Sequence, residues 1–195
     1  MKKIENTILI GLGNVGALYD KNLKHHVTTH LKSLEILKEF NLSYVIDTNK
    51  TKKKLISNNK INFSNKISKI KSLVKKSTFI VLSTPTSTHL NVFKKLTKFN
   101  LKNIFFEKPI GKNLLECKKI IQICKKKKIK IYTNYFRRDL DSFKKIKSSI
   151  QNNHIGKILS GEFIYDKYLL NNGCHAIDLL NYFFNDDNKF KIIKK

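Results

Sequence analysis

Thr7-Ile8-Leu9-Ile10-Gly11-Leu12-Gly13-Asn14-Val15-Gly16 joins an apolar strand to a glycine-rich turn. A short apolar run enters a turn with glycines at 11, 13 and 16, and the chain then reads as the start of a helix. G-x-G-x-x-G carries meaning in this context, after a strand and before a helix. Gly11 lets the chain turn tightly, Gly13 lets a pyrophosphate approach the backbone, and Gly16 lets helix and strand pack closely. Asn14 and Val15 lie within the turn, where the amides of the helix start face an anion with their dipole. The bland alternative is a glycine-rich strand-to-helix turn with no ligand.

Working outward, Tyr19 to Thr28 is a polar insert containing His25 and His26. With His30 these histidines have no acidic or cysteine companion, so the insert reads as a surface loop and no metal site is expected. Leu31, Leu34, Ile36, Leu37 and Phe40 mark an amphipathic helix. Ser43-Tyr44-Val45-Ile46 is a strand that ends in Asp47. An acid at the tip of the second strand accepts hydrogen bonds from the adenosine ribose hydroxyls and repels a 2′-phosphate. Asp47 therefore favours NAD over NADP. It lies further from the glycines than the usual ~20 residues because of the insert. Lys50, Lys52, Lys53 and Lys54 follow closely and would tolerate a phosphate, so NADP stays open. Asp47 reads equally well as the cap of the next helix.

The same alternation continues. A weak strand at Asn62-Phe63 precedes a helix from Ile67 to Leu73. Thr78 to Leu82 is a strand apolar on both faces, as buried parallel strands are. Ser83-Thr84-Pro85-Thr86-Ser87-Thr88-His89 turns into a helix carrying Leu90, Val92, Phe93, Leu96 and Phe99. The strand Asn103 to Phe106 ends in Glu107-Lys108-Pro109, and the helix Leu114 to Cys124 and strand Ile129 to Tyr132 complete the set. Strands alternating with helices imply an α/β fold, a doubly wound parallel sheet whose ligands sit at the carboxyl ends of the strands. Gly11, Asp47, Thr84, Pro85, His89 and Lys108 all fall at such ends.

Composition narrows the classes. At 195 residues the chain can bury one good core, or one domain and part of a second. It has no run of 18 apolar residues, so no membrane span is expected. The basic N-terminus lacks a signal-length apolar run, which reads as a cytoplasmic protein. Cys117, Cys124 and Cys174 lack C-x-x-C spacing; the first two read as small core residues of one helix. The net charge of +26 invites a nucleic-acid reading. Against it, the only arginines are Arg137 and Arg138, and the lysines are spread over every predicted helix. Arg is the usual reader of bases and phosphate forks. No specific nucleic-acid partner is expected.

At Glu107-Lys108-Pro109 a family becomes recognisable. The N-terminal G-x-G-x-x-G, Thr84-Pro85 with His89 after the fourth strand, and the E-K-P after the fifth resemble the glucose–fructose oxidoreductase/inositol 2-dehydrogenase (Gfo/Idh/MocA) family. Asn134 to Arg138, Ile155-Gly156-Lys157 and Gly173 to Leu180 extend the match, in order, over essentially the whole chain. The resemblance implies an NAD(P)-dependent oxidoreductase that moves a hydride between nicotinamide and a sugar, polyol or nucleotide-sugar hydroxyl. It implies cofactor contacts from Gly11, Gly13, Asn14, Val15, Gly16, Asp47, Ser83, Thr84, Pro85, His89, Glu107 and Lys108. Lys108 and His175 would carry the catalysis, and Arg137, Asn171 and His175 would bind substrate. The Lys108–Pro109 bond is often cis in relatives. Asn171 stands where many relatives have an Asp, so it would act as a hydrogen-bonding ligand and not a base. Asp178 would orient His175 or cap its helix. The bland alternatives are an exposed strand-end lysine for Lys108, a buried helix-start histidine for His175 and a surface ion pair for Arg137.

Residues 1–132 then read as an NAD(P)-binding domain and 133–195 as a partial substrate and dimerisation domain. The second part offers a helix near Ser142 to Ile150, one strand near Ile158 to Asp166 and a helix from Ala176 to Phe184. Relatives carry a large open sheet there. One strand cannot form it, and Tyr182, Phe183 and Phe184 are expected to lack burial partners. Two accounts follow: a truncated, catalytically impaired dinucleotide-binding module, or a homo-oligomer or partner chain that completes the sheet. The first is favoured.

Overall fold

Six short runs pair into one parallel sheet. In the computed structural model, which describes residues 4–23, 25–72 and 79–184, they are β1 (Glu5–Ile10), β2 (Phe40–Ile46), β3 (Asn62–Ser64), β4 (Phe79–Leu82), β5 (Asn103–Phe106) and β6 (Lys130–Thr133). Their order is β3-β2-β1-β4-β5-β6, with parallel pairing throughout. The order reverses between β1 and β4, where Ile8, Leu9 and Ile10 face Ile80, Val81 and Leu82 in register. A crevice outside the strand ends opens at such a reversal, and this strand order is the Rossmann arrangement.

Strand periodicity explains the layers. Successive side chains point to opposite faces, so Leu9, Val45 and Val81 bury on one face against Leu31 and Leu34 of α1 (His30–Ile36). Ile8, Ile10, Ile80, Leu82, Ile104 and Phe106 bury on the other. They meet Leu90, Phe93 and Leu96 of α2 (His89–Leu96) and Ile120 and Cys124 of α3 (Leu114–Lys127). Each large side chain buried this way stabilises the fold by about 1.5–3 kcal/mol. Burial pushes the Cys124 thiol up to about 11, so it is an inert core residue, as its spacing suggested. Asn113 caps α3 by accepting from the Glu116 amide, and Lys125, Lys126 and Lys127 lie in its last turn, where cations suit the dipole.

Three expectations need correction. The helix expected to start at the glycines is a single wide π turn, Asn14–Leu18, after which the chain enters the polar insert. Asp20 anchors that insert. It is 4% exposed; its Oδ2 accepts from the amides of Thr28 (2.7 Å) and Thr29 (2.8 Å), and its Oδ1 from the Thr29 hydroxyl (2.8 Å). Burial alone would raise this carboxyl. The donations from Thr28 and Thr29 and the charge of Lys32 outweigh burial and hold it below the usual aspartate value. The polar insert is thus a loop tied at its base, and it ends at the Thr29 cap of α1. Second, α1 stops at Ile36, and Phe40 opens β2 instead of closing the helix.

The third concerns the carboxyl-terminal part. The chain divides into two compact units, Met1–Asn134 and Tyr135–Lys195. In the second, the expected strand near Ile158 to Asp166 does not form. A strand needs a neighbour to take its backbone groups, and among the described residues this unit offers only helices and turns. Leu159 and Ile164 of that segment are exposed. The helices α4 (Asp141–Gln151) and α5 (Cys174–Phe184) do form. Phe183 does find a partner: it is buried, with its ring 6.0 Å from Phe143. Tyr182 lies under the Lys147 ammonium at 4.1 Å and the Arg138 guanidinium at 5.7 Å. The expectations for Leu73, Thr78 and the tail from Asn185 fall outside the described residues.

Candidate dinucleotide site

The cleft begins where β1 ends. Gly11 has φ +99°, a conformation L side chains rarely adopt, and its amide donates to the Ile46 carbonyl at 2.8 Å. A Cβ on Gly16 would stand 2.2 Å from the Gly11 carbonyl oxygen, so a hydrogen alone fits there. A Cβ on Gly13 would meet nothing within 4 Å. The first and third glycines are therefore demanded by the fold. The second leaves open space over the backbone, where a phosphate could approach.

Asp47, at the carboxyl end of β2, closes one side. It is 8% exposed; Oδ2 accepts from the Leu12 amide at 2.7 Å and Oδ1 from the Asn49 amide at 2.8 Å. The Lys52 ammonium lies 3.3 Å from Oδ2. Asp47 thus holds the glycine turn in place. Asp47 does not cap the next helix: the cap of the Lys50–Leu55 turn is Asn49, whose side chain accepts from the Thr51 amide at 3.0 Å.

Gly11, Gly13, Asp47, Ser83, Thr84 and Pro85, six of the expected cofactor residues, line one cleft of about 280 Å³ together with Lys52, Thr48 and the apolar Ile10, Ile67 and Val92. Ligand clefts run about 300–1,000 Å³, so this one suits part of a dinucleotide. Ser83 Oγ is buried and meets no hydrogen-bond partner among the described residues. An orphaned hydroxyl, a bare glycine backbone and an apolar wall fit a nucleotide with a phosphate at the turn. Asn14, Val15 and Gly16 form the adjoining π turn. That turn is too short to carry a helix macrodipole, so the dipole expected behind the glycines is not part of the site.

His89 is a correction. It is fully buried and does not line the cleft. Its Nε2 lies 2.9 Å from the Thr84 carbonyl and its Nδ1 3.0 Å from the Ile110 carbonyl. A ring N–H donates to one carbonyl or the other in either neutral tautomer. His89 braces the turn after β4 against the segment after β5.

At the end of β5, Glu107 is buried and its amide donates to the Leu82 carbonyl at 3.0 Å. His30 Nε2 lies 2.5 Å from Glu107 Oε1, and Asn134 Nδ2 donates to the same oxygen at 2.7 Å. Burial would raise this carboxyl. The hydrogen bond and charge of His30, then the amides of Asn134 and Lys108, prevail and hold it below the usual glutamate value. Lys108 follows at the same carboxyl rim, half-buried, and the Lys108–Pro109 peptide is cis. In the sequence His30 stands just beyond the polar insert, with no partner and no role. Its position beside the Thr29 cap, at the start of an apolar period, was the only local signal of order; its partner lies 77 residues away.

In the second unit, His175 is buried near the start of α5, edge-on to Tyr135 (5.8 Å between ring centroids) and Phe136 (5.7 Å). Asn171 lies in the Leu169–Gly173 turn and Arg137, half-buried, in the Phe136–Asp139 turn. Asp178 accepts from Arg138 at both oxygens, through Nε at 2.9 Å and through Nη2. The structural ion pair of this segment is thus Arg138–Asp178.

Comparison with known proteins agrees with this arrangement. Residues 6–135 match the family described as an oxidoreductase family with an NAD-binding Rossmann fold. An oxidoreductase of Formosa agariphila is 30% identical over 43% of this chain and 26% of its own. Myo-inositol 2-dehydrogenase of Thermotoga maritima is 32% identical over 40% of this chain and 23% of its own. Scyllo-inositol dehydrogenase of Lactobacillus casei, solved with bound NAD(H) and scyllo-inositol, superposes with a TM-score of 0.69 at 17% identity; 93% of this chain covers 56% of that one. The chain thus spans about half the length of that solved relative. With two thirds of its residues under the family match and the glycine turn, Asp47 and E-K-P at one rim, the chain belongs to the NAD-binding Gfo/Idh/MocA oxidoreductase family.

Proposed function

We propose that the chain binds NAD across the carboxyl rim of its sheet and serves hydride transfer to or from a hydroxyl of a sugar or cyclic polyol. The observation that carries this reading is the cleft over Gly13, between Asp47 and the orphaned Ser83 hydroxyl. The inositol dehydrogenases among its relatives support the polyol class.

In this reading the backbone over Gly13 takes the pyrophosphate, Asp47 the adenosine ribose, and Ser83, Thr84 and Pro85 the opposite wall. When bound, the nicotinamide supplies the hydride acceptor. Lys108 binds the substrate hydroxyl and moves its proton as the C–H bond breaks, and Glu107, fixed by His30 and Asn134, keeps the strand end in place. His175 is the second proton-handling group, with Arg137 and Asn171 binding substrate oxygens. Residues 1–132 would form the cofactor domain and 133–195 the substrate side. Asn171 supports a second reading, a dinucleotide-binding module without turnover.

Incubation with NAD and a panel of inositols and sugars, followed by NADH absorbance, tests the proposal. The expected result is turnover with a polyol that Lys108→Ala lowers about a hundredfold or more, with NADH binding retained. NADH binding without turnover on any panel member favours the second reading. Equal turnover in Lys108→Ala contradicts the role given to that lysine.

A further inference from the structure

We propose that Lys52 makes this site accept a 2′-phosphorylated dinucleotide as well as the plain one, by cancelling the charge with which Asp47 would repel the phosphate. This inference rests on the dinucleotide reading of the cleft. An acid at the end of the second strand selects against a 2′-phosphate because two anions are brought together. That logic requires the acid to present an uncompensated charge. Here it does not.

A carboxylate has about four lone-pair positions. On Asp47 the Leu12 amide, the Asn49 amide and the Lys52 ammonium take three of them. One position on Oδ1 is left for a ribose hydroxyl, which is enough to bind NAD. The pair is also shielded, with side-chain exposures of 8% for Asp47 and 27% for Lys52, so bulk salt screens it less than a surface pair.

Four lysines follow Asp47 closely, and their sequence positions do not distinguish them. The structure does. Lys52 lines the dinucleotide cleft beside Asp47 and Thr48. Lys53 lines a separate hollow with Asn58 and Asn59, Lys54 another with Asp20 and Glu35, and Lys50 is exposed. An ammonium has three donors on a flexible stem. Lys52 can turn from Oδ2 to a phosphate oxygen without moving the backbone, leaving Asp47 held by its two amides. The single acid at the strand end thus becomes a switchable pair: Asp47 serves the bare ribose, Lys52 the phosphorylated one.

Fluorescence titration with NADH and NADPH at about 0.15 M salt tests this, with displacement of NADH by 2′,5′-ADP and by 5′-ADP. Wild type is expected to bind NADPH within about tenfold of NADH, and 2′,5′-ADP to displace at least as well as 5′-ADP. Lys52→Ala should weaken NADPH about tenfold or more relative to any change in NADH. Lys94→Ala, which removes one exposed charge from α2, controls for the net charge of +26 and should leave both unchanged. NADH binding with NADPH more than about tenfold weaker in wild type overturns the inference alone. So does an NADPH affinity that Lys52→Ala leaves intact or that Lys94→Ala lowers equally. Failure of both dinucleotides to bind overturns the cleft reading and this inference with it.

Discussion

Gly16→Ala is expected to destabilise the protein by about 3 kcal/mol and to abolish dinucleotide binding. The new methyl would stand 2.2 Å from the Gly11 carbonyl oxygen and 3.3 Å from Ser83 Oγ. Neither neighbour can give way cheaply. Gly11 is tied to β2 through its amide on Ile46, and Ser83 is tied to β1 through its amide on the Ile10 carbonyl at 2.8 Å. The π turn must therefore lift away from the sheet, loosening the packing of Ala17 and Leu12 in the face that α1 covers. A melting temperature lowered by roughly 6–12 °C is the expected readout for a chain of this size. An unchanged melt would show that the turn sits further from Gly11 than described.

The Glu107 carboxylate carries the second large effect. Glu107→Ala leaves the His30 ring and the Asn134 amide facing each other in a mostly buried site, at a cost of about 2–4 kcal/mol. The sign of its pH dependence follows from the lowered carboxyl. Unfolding raises its proton affinity toward the ordinary value of 4.5, so its contribution is complete above that pH and is lost as the pH falls through the lower folded value. Wild type should lose stability as the pH falls below about 4.5 more steeply than Glu107→Gln, which carries no titrating carboxyl at that position. Parallel acid profiles would contradict the ion pair.

These two sites differ in how far the chain itself reveals them. The glycine turn and the strand ends were legible because they are local: Ile104 to Phe106 is an apolar run, and Asn103–Phe106 forms β5 with the bounds read from the sequence. The ties between distant residues were not. No window around His30 contains Glu107, and nothing near Asp47 distinguishes Lys52 from Lys53. The polar insert from Tyr19 to Thr28 was legible as a loop, but the bonds of Thr28 and Thr29 to Asp20 across it were not. Ile158 to Asp166 failed in the opposite sense. Its composition suits a strand, but pairing is a property of two segments. His89 showed the weakness of assigning every polar strand-end residue to a ligand, since its ring is spent on two carbonyls of the fold.

In the proposed function the open backbone over Gly13 receives the phosphates of a dinucleotide. Gly13 has φ −75°, so an alanine there is free of backbone strain, and its Cβ would meet no protein atom within 4 Å. NADH titration of wild type and Gly13→Ala separates binding from folding. Equal melting temperatures and an affinity for NADH at least about tenfold weaker in the variant are expected. NADH binding of equal strength in both would contradict the placement of the phosphates over Gly13.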